Sequence, residues 1–500
     1  MISFEDIKKY IKNEYGNNKT KIDEKGKIDK GALAIIHAVE KEGFEAYAVG
    51  GSVRDLLLGK VPHDWDITTS AHPEDIVLIA QKNKWKAVDN QGIRFGTVIL
   101  ILDGNSYEVT SFRSEFYGND SHKPEEIRFA KTLKEDLSRR DFTINAMAVD
   151  GTGTIYDYFN GVHDLEHKIL KTVGSAEERF KEDALRPFRA CRFLGQLDFM
   201  ADMEIVKAIP LSSERVKGLS LERIKAELES LLLSDHPARG LDLLVRSGLN
   251  ECSCRIKKNG KEEYVPILPE LSHLVNLPQE KQFHKYDGWY HTLAVVDASP
   301  KERVIRWAAL FHDIGKGMPG VRAVRNGRYT DYGHDVKGAE ITLQVLTRLK
   351  MSRPFISRVV WLVKNHMHFH FMANTEEADG KKWIRQLARS GTFKSSEEIK
   401  EGIRQLTELC KADIIGCGRP FSATDGHQAF GEYMMDLSED MPVSTKELMY
   451  DHRLVEVLGD DIGAGMKNLL LRVQNGNLTN DAETLLDAGI RYRRRHNEGD

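Results

Sequence analysis

The residues best suited to chemistry sit in YAVGGSVRDLLLGKVPHDWDITT, positions 47–69. Gly50-Gly51 ends a short apolar run, and Ser52, Val53 and Arg54 open a helical pattern. Glycine lets the backbone approach a phosphate closely, and the free N–H groups at a helix start attract anions. Ser52 adds a hydroxyl donor to that turn. Asp64-x-Asp66 follows some fourteen residues later, entering a strand. Strand alternation points both carboxylates to one face, roughly 7 Å apart at the backbone. Such a pair suits Mg²⁺ ions about 3.5–4 Å apart, which clamp an attacking hydroxyl and a triphosphate. An Asp-x-Asp alone is most often a solvated strand end. The glycine turn and the carboxylate pair together are far more specific.

The elements that must position these groups follow from periodicity. A helical pattern runs through Ala32, Ile35, Ile36 and Val39. From about Ala46 to Asp157 short β-rich runs alternate with helices, which predicts a mixed α/β sheet domain. After Gly161 the strands stop. Amphipathic helices are expected at Ala176–Leu197, Leu221–Leu233 and Pro237–Ser247. Residues 251–270 carry turn signals and few periodic positions, which marks a boundary. The fold class is α+β. A loose N-terminal segment (1–30) precedes a sheet-based head (31–160), a helical neck and body (161–250) and a linker (251–284). A histidine-rich helical domain (285–415) and a helical tail (416–500) follow.

The block GGSVRDLLLG…HDWDITT resembles the signature of the class II tRNA nucleotidyltransferase and bacterial poly(A) polymerase family, within the polymerase-β superfamily. Further blocks come in family order over about residues 28–250. YEVTSFR (107–113) is similar to the strand beside the active site, so Glu108 is implied as a third carboxylate, against the plain alternative of an exposed strand glutamate. RRDFTINAMAVD (139–150) resembles the ribose-contacting motif, with Arg139, Arg140 and Asp141 near triphosphate and ribose. EDALRPFRACRF (182–193) resembles the motif that selects the incoming base. Within it, Asp183 and Arg186 are spaced i, i+3 and are expected to share a helix face. Arg189 and Arg192 follow on the same motif. A carboxylate beside a guanidinium fits cytosine and adenine, each showing an exocyclic amine next to a ring acceptor. Guanine and uracil present the reverse pattern. The resemblance implies a polymerase-β-like head and CCA addition to tRNA from CTP and ATP, with Mg²⁺ at Asp64 and Asp66. The loop departs from the family's DG-R-RP-like string. It reads NDSHKP (119–124), with His122 and Lys123 at the basic positions. Poly(A) polymerase and a partial enzyme adding only C or only A therefore stand as alternatives.

A second constellation is His291, His312-Asp313, His334, His366 and Asp413. FHDIGKG (311–317) resembles the HD phosphohydrolase superfamily. Imidazole and carboxylate donors suit Ni²⁺, Mn²⁺, Fe²⁺ or Mg²⁺, and such a site activates water for phosphoester hydrolysis. An RNA 3′ phosphate or a 2′,3′-cyclic phosphate is the expected substrate. Of His366, His368 and His370, two are expected to face solvent. Two different-class alternatives are a metal-dependent HD phosphohydrolase with an RNA-binding head, and a nucleotide- or tRNA-sensing binding protein. The intact carboxylate pair and EDALR argue against both.

Composition bounds the rest. The chain has 500 residues, 41% hydrophobic and 30% charged, which excludes a wholly disordered, collagen-like or disulfide-framed protein. No apolar run approaches the roughly 20 residues that cross a bilayer. The start, MISFEDIKKYIKNEYG, lacks a signal-peptide core. Five cysteines without a CxxC pair fit a reducing cytoplasm. Net charge is −4 from 72 basic and 76 acidic residues, so any nucleic-acid surface must be local. RYRRR (491–495) offers one such patch, and VSTKELMYDHRL begins a tail that weakly resembles the tRNA-contacting region of the family.

Overall fold

The computed structural model describes residues 2–3, 28–88, 96–117, 124–375 and 379–497. Most of the expected N-terminal segment (4–27) and the loop residues 118–123, with His122 and Lys123, lie outside the described residues. The chain divides into two units, residues 1–231 with 239–269, and residues 232–238 with 270–500.

The first unit is built on an eight-stranded mixed sheet. Its strands are β1 (Ile2–Ser3), β2 (Ala46–Val49), β3 (Asp66–Thr69), β4 (Lys86–Val88), β5 (Thr97–Leu102) and β6 (Asn105–Ser111). A separate hairpin follows, β7 (Arg113–Tyr117) and β8 (Pro124–Phe129). Then β9 (Met147–Val149) and β10 (Thr154–Asp157) complete the sheet in the order β1-β10-β9-β2-β3-β6-β5-β4. Every neighbouring pair is antiparallel except β3 with β6. The crossover between them carries the helix Pro73–Lys82, as a parallel pair requires. The helix Lys30–Lys41 buries Ala32, Ile35, Ile36 and Val39, the i, i+3, i+4, i+7 stripe read from the sequence, and packs on β2 and β3. Burying each of those isoleucines contributes about 1.5–3 kcal/mol. Asp29 caps this helix by accepting from the Gly31 and Ala32 N–H groups.

The expected helix Ala176–Leu197 is two helices, Ala176–Glu182 and Arg186–Leu197. Pro187 explains the break: its ring fits only the first turn of a helix. After a further helix, Met203–Ser212, come Leu221–Leu232 and Pro237–Arg246, both close to expectation. Strands do not stop after Gly161. The short β11 (Ile169–Leu170) pairs in parallel with β12 (Met200–Ala201). In the expected linker, β13 (Ser253–Lys258) and β14 (Lys261–Pro266) form a hairpin over Asn259-Gly260, both at positive φ (51° and 78°). That Asn-Gly dipeptide is the hairpin signal that the lysine-rich flanks concealed.

The second unit is helical. Gly288–Ala298, Arg303–Phe311, His334–Arg348, Arg353–Ala373 and Ser396–Gly416 pack around Trp289, Trp307, Phe311 and Phe369, all fully buried. One hairpin, β15 (Arg322–Arg325) with β16 (Arg328–Asp331), interrupts them. The tail has its own small core, with Leu454, Leu458, Leu469 and Leu485 at its centre. RYRRR closes the last helix, where Arg493 pairs with Asp461 and Arg491 with Asp487. Two of its cations therefore already have partners within the chain. Among the described residues no helix is long and apolar enough to cross a membrane.

Candidate active site

Asp66 opens β3, and Asp64 lies two residues before it. Trp65 between them is buried while both aspartates are exposed, so the alternation turns both carboxylates to the open side. Glu108 on β6 stands directly opposite Asp66 across the parallel pair. Desolvation by the surrounding protein, with Asp64 alongside, raises the Asp66 pKa against the pull of Arg140. Burial raises Glu108 too, followed by the charges of Asp66 and Asp64. Asp66 and Glu108, whose ionisation burial and like charge disfavour, form with Asp64 a set of hard oxygen donors that suits a divalent cation. The residues present therefore fit Mg²⁺.

The same cleft, of about 390 Å³, is lined by Gly50, Gly51, Ser52, Arg54, Asp64, Asp66, Arg140, Asp141, Arg189 and Arg192. Gly50 sits at φ 78°, and a Cβ there would lie 3.1 Å from Arg140 Nη1. Only glycine supplies both the left-handed turn and the space for that guanidinium. The Ser52 hydroxyl is turned inward and donates to the Val49 carbonyl (3.0 Å), so it braces the turn. Arg54 donates to Asn145 Oδ1 (2.8 Å) and to Asp55. Asp136, fully buried, accepts from Arg139 at Oδ1 (2.9 Å) and from the Thr68 hydroxyl at Oδ2 (3.1 Å), and Oδ2 is also 3.6 Å from Arg140. Burial alone would raise Asp136, but Arg139 and Arg140 hold it below the ordinary value.

A neighbouring pocket of about 350 Å³ shares Arg140, Asp141 and Arg189 and adds Arg113, Arg139, Asp183, Arg186 and Arg223. Asp183 and Arg186 do not share a helix face. Asp183 closes one helix in an extended conformation, and Arg186 starts the next. Their spacing places them together only as lining of one pocket. Arg186 is buried, and its guanidinium donates to Glu182 and to the carbonyls of Arg179 and Arg139. Asp183 Oδ1 accepts from the Leu185 N–H, and Oδ2 is 4.0 Å from Arg223. Arg189 donates to Asp141 (2.7 Å) and Arg192 to Glu227 (2.7 Å). Arg54, Arg189 and Arg192 all lie over the Phe193 ring, at 4.5–5.6 Å.

The second unit brings every residue of the histidine series together. His291 Nε2 is 3.1 Å from Asp413, 3.3 Å from Asp313 and 3.2 Å from His312 Nε2. His334 Nε2 is 3.2 Å from Asp313 and 3.3 Å from His366 Nε2. Among the described residues three groups could hold a metal here, and two of them, His291–His312–Asp413 and Asp313–His334–His366, are triads drawn wholly from this series, while His284–His291–Cys417 shares His291. The Nδ1 atoms of His312, His334 and His366 each face a backbone carbonyl at 2.7–2.8 Å. A carbonyl only accepts, so Nδ1 carries the proton and Nε2 turns its lone pair inward. Facing lone pairs 3.3 Å apart repel unless a cation separates them, so this donor set fits a divalent metal. Gly315 allows the assembly: a Cβ there would lie 2.2 Å from the His334 carbonyl oxygen.

Several participants were not singled out from the sequence. Of the three neighbouring histidines only His368 is exposed, packed edge-on against Trp383. His370 instead turns inward, 2.9 Å from both Asp413 and His427. The spacing His366/His370, i and i+4 on one helix, carried that signal. Lys316 pairs with Asp313 (2.7 Å), and Cys417 lies 3.3 Å from His284 Nδ1. Asp136, i−3 and i−4 from Arg139 and Arg140, was legible in the same way. Asn145, Phe193 and Arg223 line the pockets and Glu227 holds Arg192; none was singled out, because packing decides which side chains reach a pocket.

Three family models match the chain. Residues 46–171 match the poly A polymerase head domain, and 198–252 a probable RNA and SrmB-binding site of polymerase A. Residues 288–412 match the HD domain. Over 231 residues the chain is 46% identical to a CCA-adding enzyme of Pediococcus pentosaceus, covering 46% of this chain and 57% of that protein. It is 39% identical over 296 residues to a CCA-adding enzyme of Lactobacillus helveticus, covering 56% of this chain and 72% of the relative. The match thus spans little more than half of the first relative and nearly three quarters of the second. The Bacillus stearothermophilus CCA-adding enzyme in complex with CTP superposes with a TM-score of 0.62 at 26% identity, over 94% of this chain and 98% of that one.

Proposed function

The chain belongs to the CCA-adding enzyme family, and from that premise we propose that it is a tRNA nucleotidyltransferase completing tRNA 3′ ends with CTP and ATP. The observation that carries this reading is one cleft holding Asp64, Asp66 and the Gly50 turn, with Glu108 across from Asp66. In the reaction the RNA 3′-hydroxyl attacks the α-phosphorus, and the bond to pyrophosphate breaks. Asp64 and Asp66 hold Mg²⁺, with Glu108 beside them. When bound, the ion supplies charge stabilisation for the attacking and leaving oxygens. Arg54, Arg139, Arg140, Arg189 and Arg192 neutralise the triphosphate, through guanidinium forks held in place by Asp136, Asp141, Asn145 and Glu227. Asp183 and Arg186 carry base selection without a nucleic-acid template. Five free cysteines suit a reducing cytoplasm, where this reading puts the reaction.

The test incubates purified protein with tRNA lacking CCA and each labelled NTP, then sequences the 3′ ends. Addition of C, C and A is the expected product. A long A tail would instead identify a poly(A) polymerase, and addition of C or A alone a partial enzyme.

The histidine cluster favours a second activity, hydrolysis of a phosphoester at an RNA 3′ end, with Ni²⁺, Mn²⁺ or Fe²⁺ at the two triads. Water oxygen bonds to phosphorus, the ester P–O bond breaks, and the proton passes to the departing ribose oxygen. Phosphate release from 3′-phosphorylated RNA, with each metal added in turn, tests it. Release without any nucleotide addition would favour the HD phosphohydrolase alternative.

A further inference from the structure

Between the His312-Asp313 turn and His334 the chain inserts the hairpin β15–β16, and this hairpin borders the cavity that opens onto the histidine cluster. The cavity, about 1130 Å³, is lined by Asp313, His334 and Asp413 on one side and by Arg325, Arg328 and Tyr332 on the other. The hairpin is stiff: Asn326 and Gly327 form a two-residue turn, both at positive φ (50° and 74°).

Its charge arrangement is costly. Arg325 and Arg328 stand directly opposite each other beside the turn. Like charges across a strand pair destabilise it. Among the described residues neither has a carboxylate partner, whereas Arg322 on the same hairpin is paired with Asp331 (2.7 Å). Of the acids around the cavity, Asp313 and Asp413 face the histidines, and Asp331 is taken by Arg322. Glu280 accepts the Tyr329 N–H. Glu280 and Asp335, both half-buried, are the remaining negative charges on the cavity wall. Arg325 also lies over the Tyr332 ring (5.1 Å), and that ring is 71% exposed. An exposed aromatic backed by a guanidinium, beside one further phosphate-seeking fork in Arg328, is the surface on which single-stranded bases stack.

We propose that β15–β16 with Tyr332 is an RNA-gripping lip. Tyr332 stacks on a base near the RNA 3′ end, and Arg325 and Arg328 bind the adjacent phosphodiesters, presenting the terminal phosphoester to the histidine cluster. An acidic peptide would use the cations and leave the ring idle, so RNA is the partner that uses every part. The inference rests on the hydrolytic reading of that cluster for its consequence, but the lip itself is tested apart from it.

A short RNA with a 3′ phosphate and a 4-thiouridine near that end is irradiated with the full chain, and the cross-linked peptide is mapped. Attachment within residues 322–332 is expected. Attachment elsewhere only would overturn the lip whether or not phosphate is released. Attachment there without phosphate release would leave the lip standing and sink the hydrolytic reading. Where release occurs, Tyr332→Ala and the pair Arg325→Ala/Arg328→Ala should lower kcat/KM on this RNA about tenfold more than on p-nitrophenyl phosphate. Tyr332→Phe, which keeps the ring, should restore it. Equal effects on both substrates would overturn the proposal.

Discussion

Asp66 and Glu108 are Cα register partners on the one parallel pair of the head sheet, β3 and β6. Strands far apart in the chain thus carry two acids to adjacent positions, with Asp64 close to Asp66 in the cleft. Burial raises the pKa of both, the charge of Asp66 adds to the rise at Glu108, and a divalent cation relieves that strain.

Removing ligands should therefore stop polymerisation without unfolding the sheet. Asp64→Ala with Asp66→Ala is expected to lower nucleotide incorporation into truncated tRNA by about 10³-fold or more, since metal stabilisation of the transition state is worth several kcal/mol. Glu108→Gln should reduce it as well, with an unchanged circular dichroism spectrum. Wild-type incorporation in the double variant would remove the basis of the assignment.

Gly50→Ala should damage the same cleft for a different reason. The added Cβ meets Arg140 at 3.1 Å in a left-handed turn, a strain of about 1 kcal/mol or more. A higher KM for CTP with a small loss of thermal stability is the expected result.

Asp136 links stability to pH. Its folded pKa lies below the ordinary 3.8, so its contribution is complete above that value and is lost as pH falls through the lower folded value. Asp136→Asn strands two arginines and should cost about 3 kcal/mol near neutrality. Urea midpoints measured against pH should show a constant gap above about pH 5, narrowing below about pH 4.

Metal removal should loosen the second unit. Chelation is expected to lower its melting temperature by roughly 5 °C, restored by Mn²⁺ or Ni²⁺. His366→Ala should abolish that metal response. A melting curve indifferent to chelator and metal would show that the triads bind no cation.

Asp183 is the one carboxylate of the base-reading motif in the smaller pocket. Replacing it by Ala should narrow the preference for CTP and ATP over UTP and GTP by about tenfold or more, read from competing incorporation.

What the sequence determined by itself was local. The glycine turn, the alternating Asp-Trp-Asp and the helical stripe of Ala32 to Val39 are set by neighbours within one turn or one pleat, and all three formed as read. The histidine series was legible as residue types, because metal chemistry restricts which side chains can serve. Tertiary structure decided the rest. The β3–β6 register put Glu108 beside Asp66, and Pro187 split the helix that was to align Asp183 with Arg186. Packing turned His370 inward and committed Arg186 to carbonyl groups. These outcomes depend on pairings between distant segments, whose free energy comes from burial and register across the fold and leaves no periodic trace in the chain.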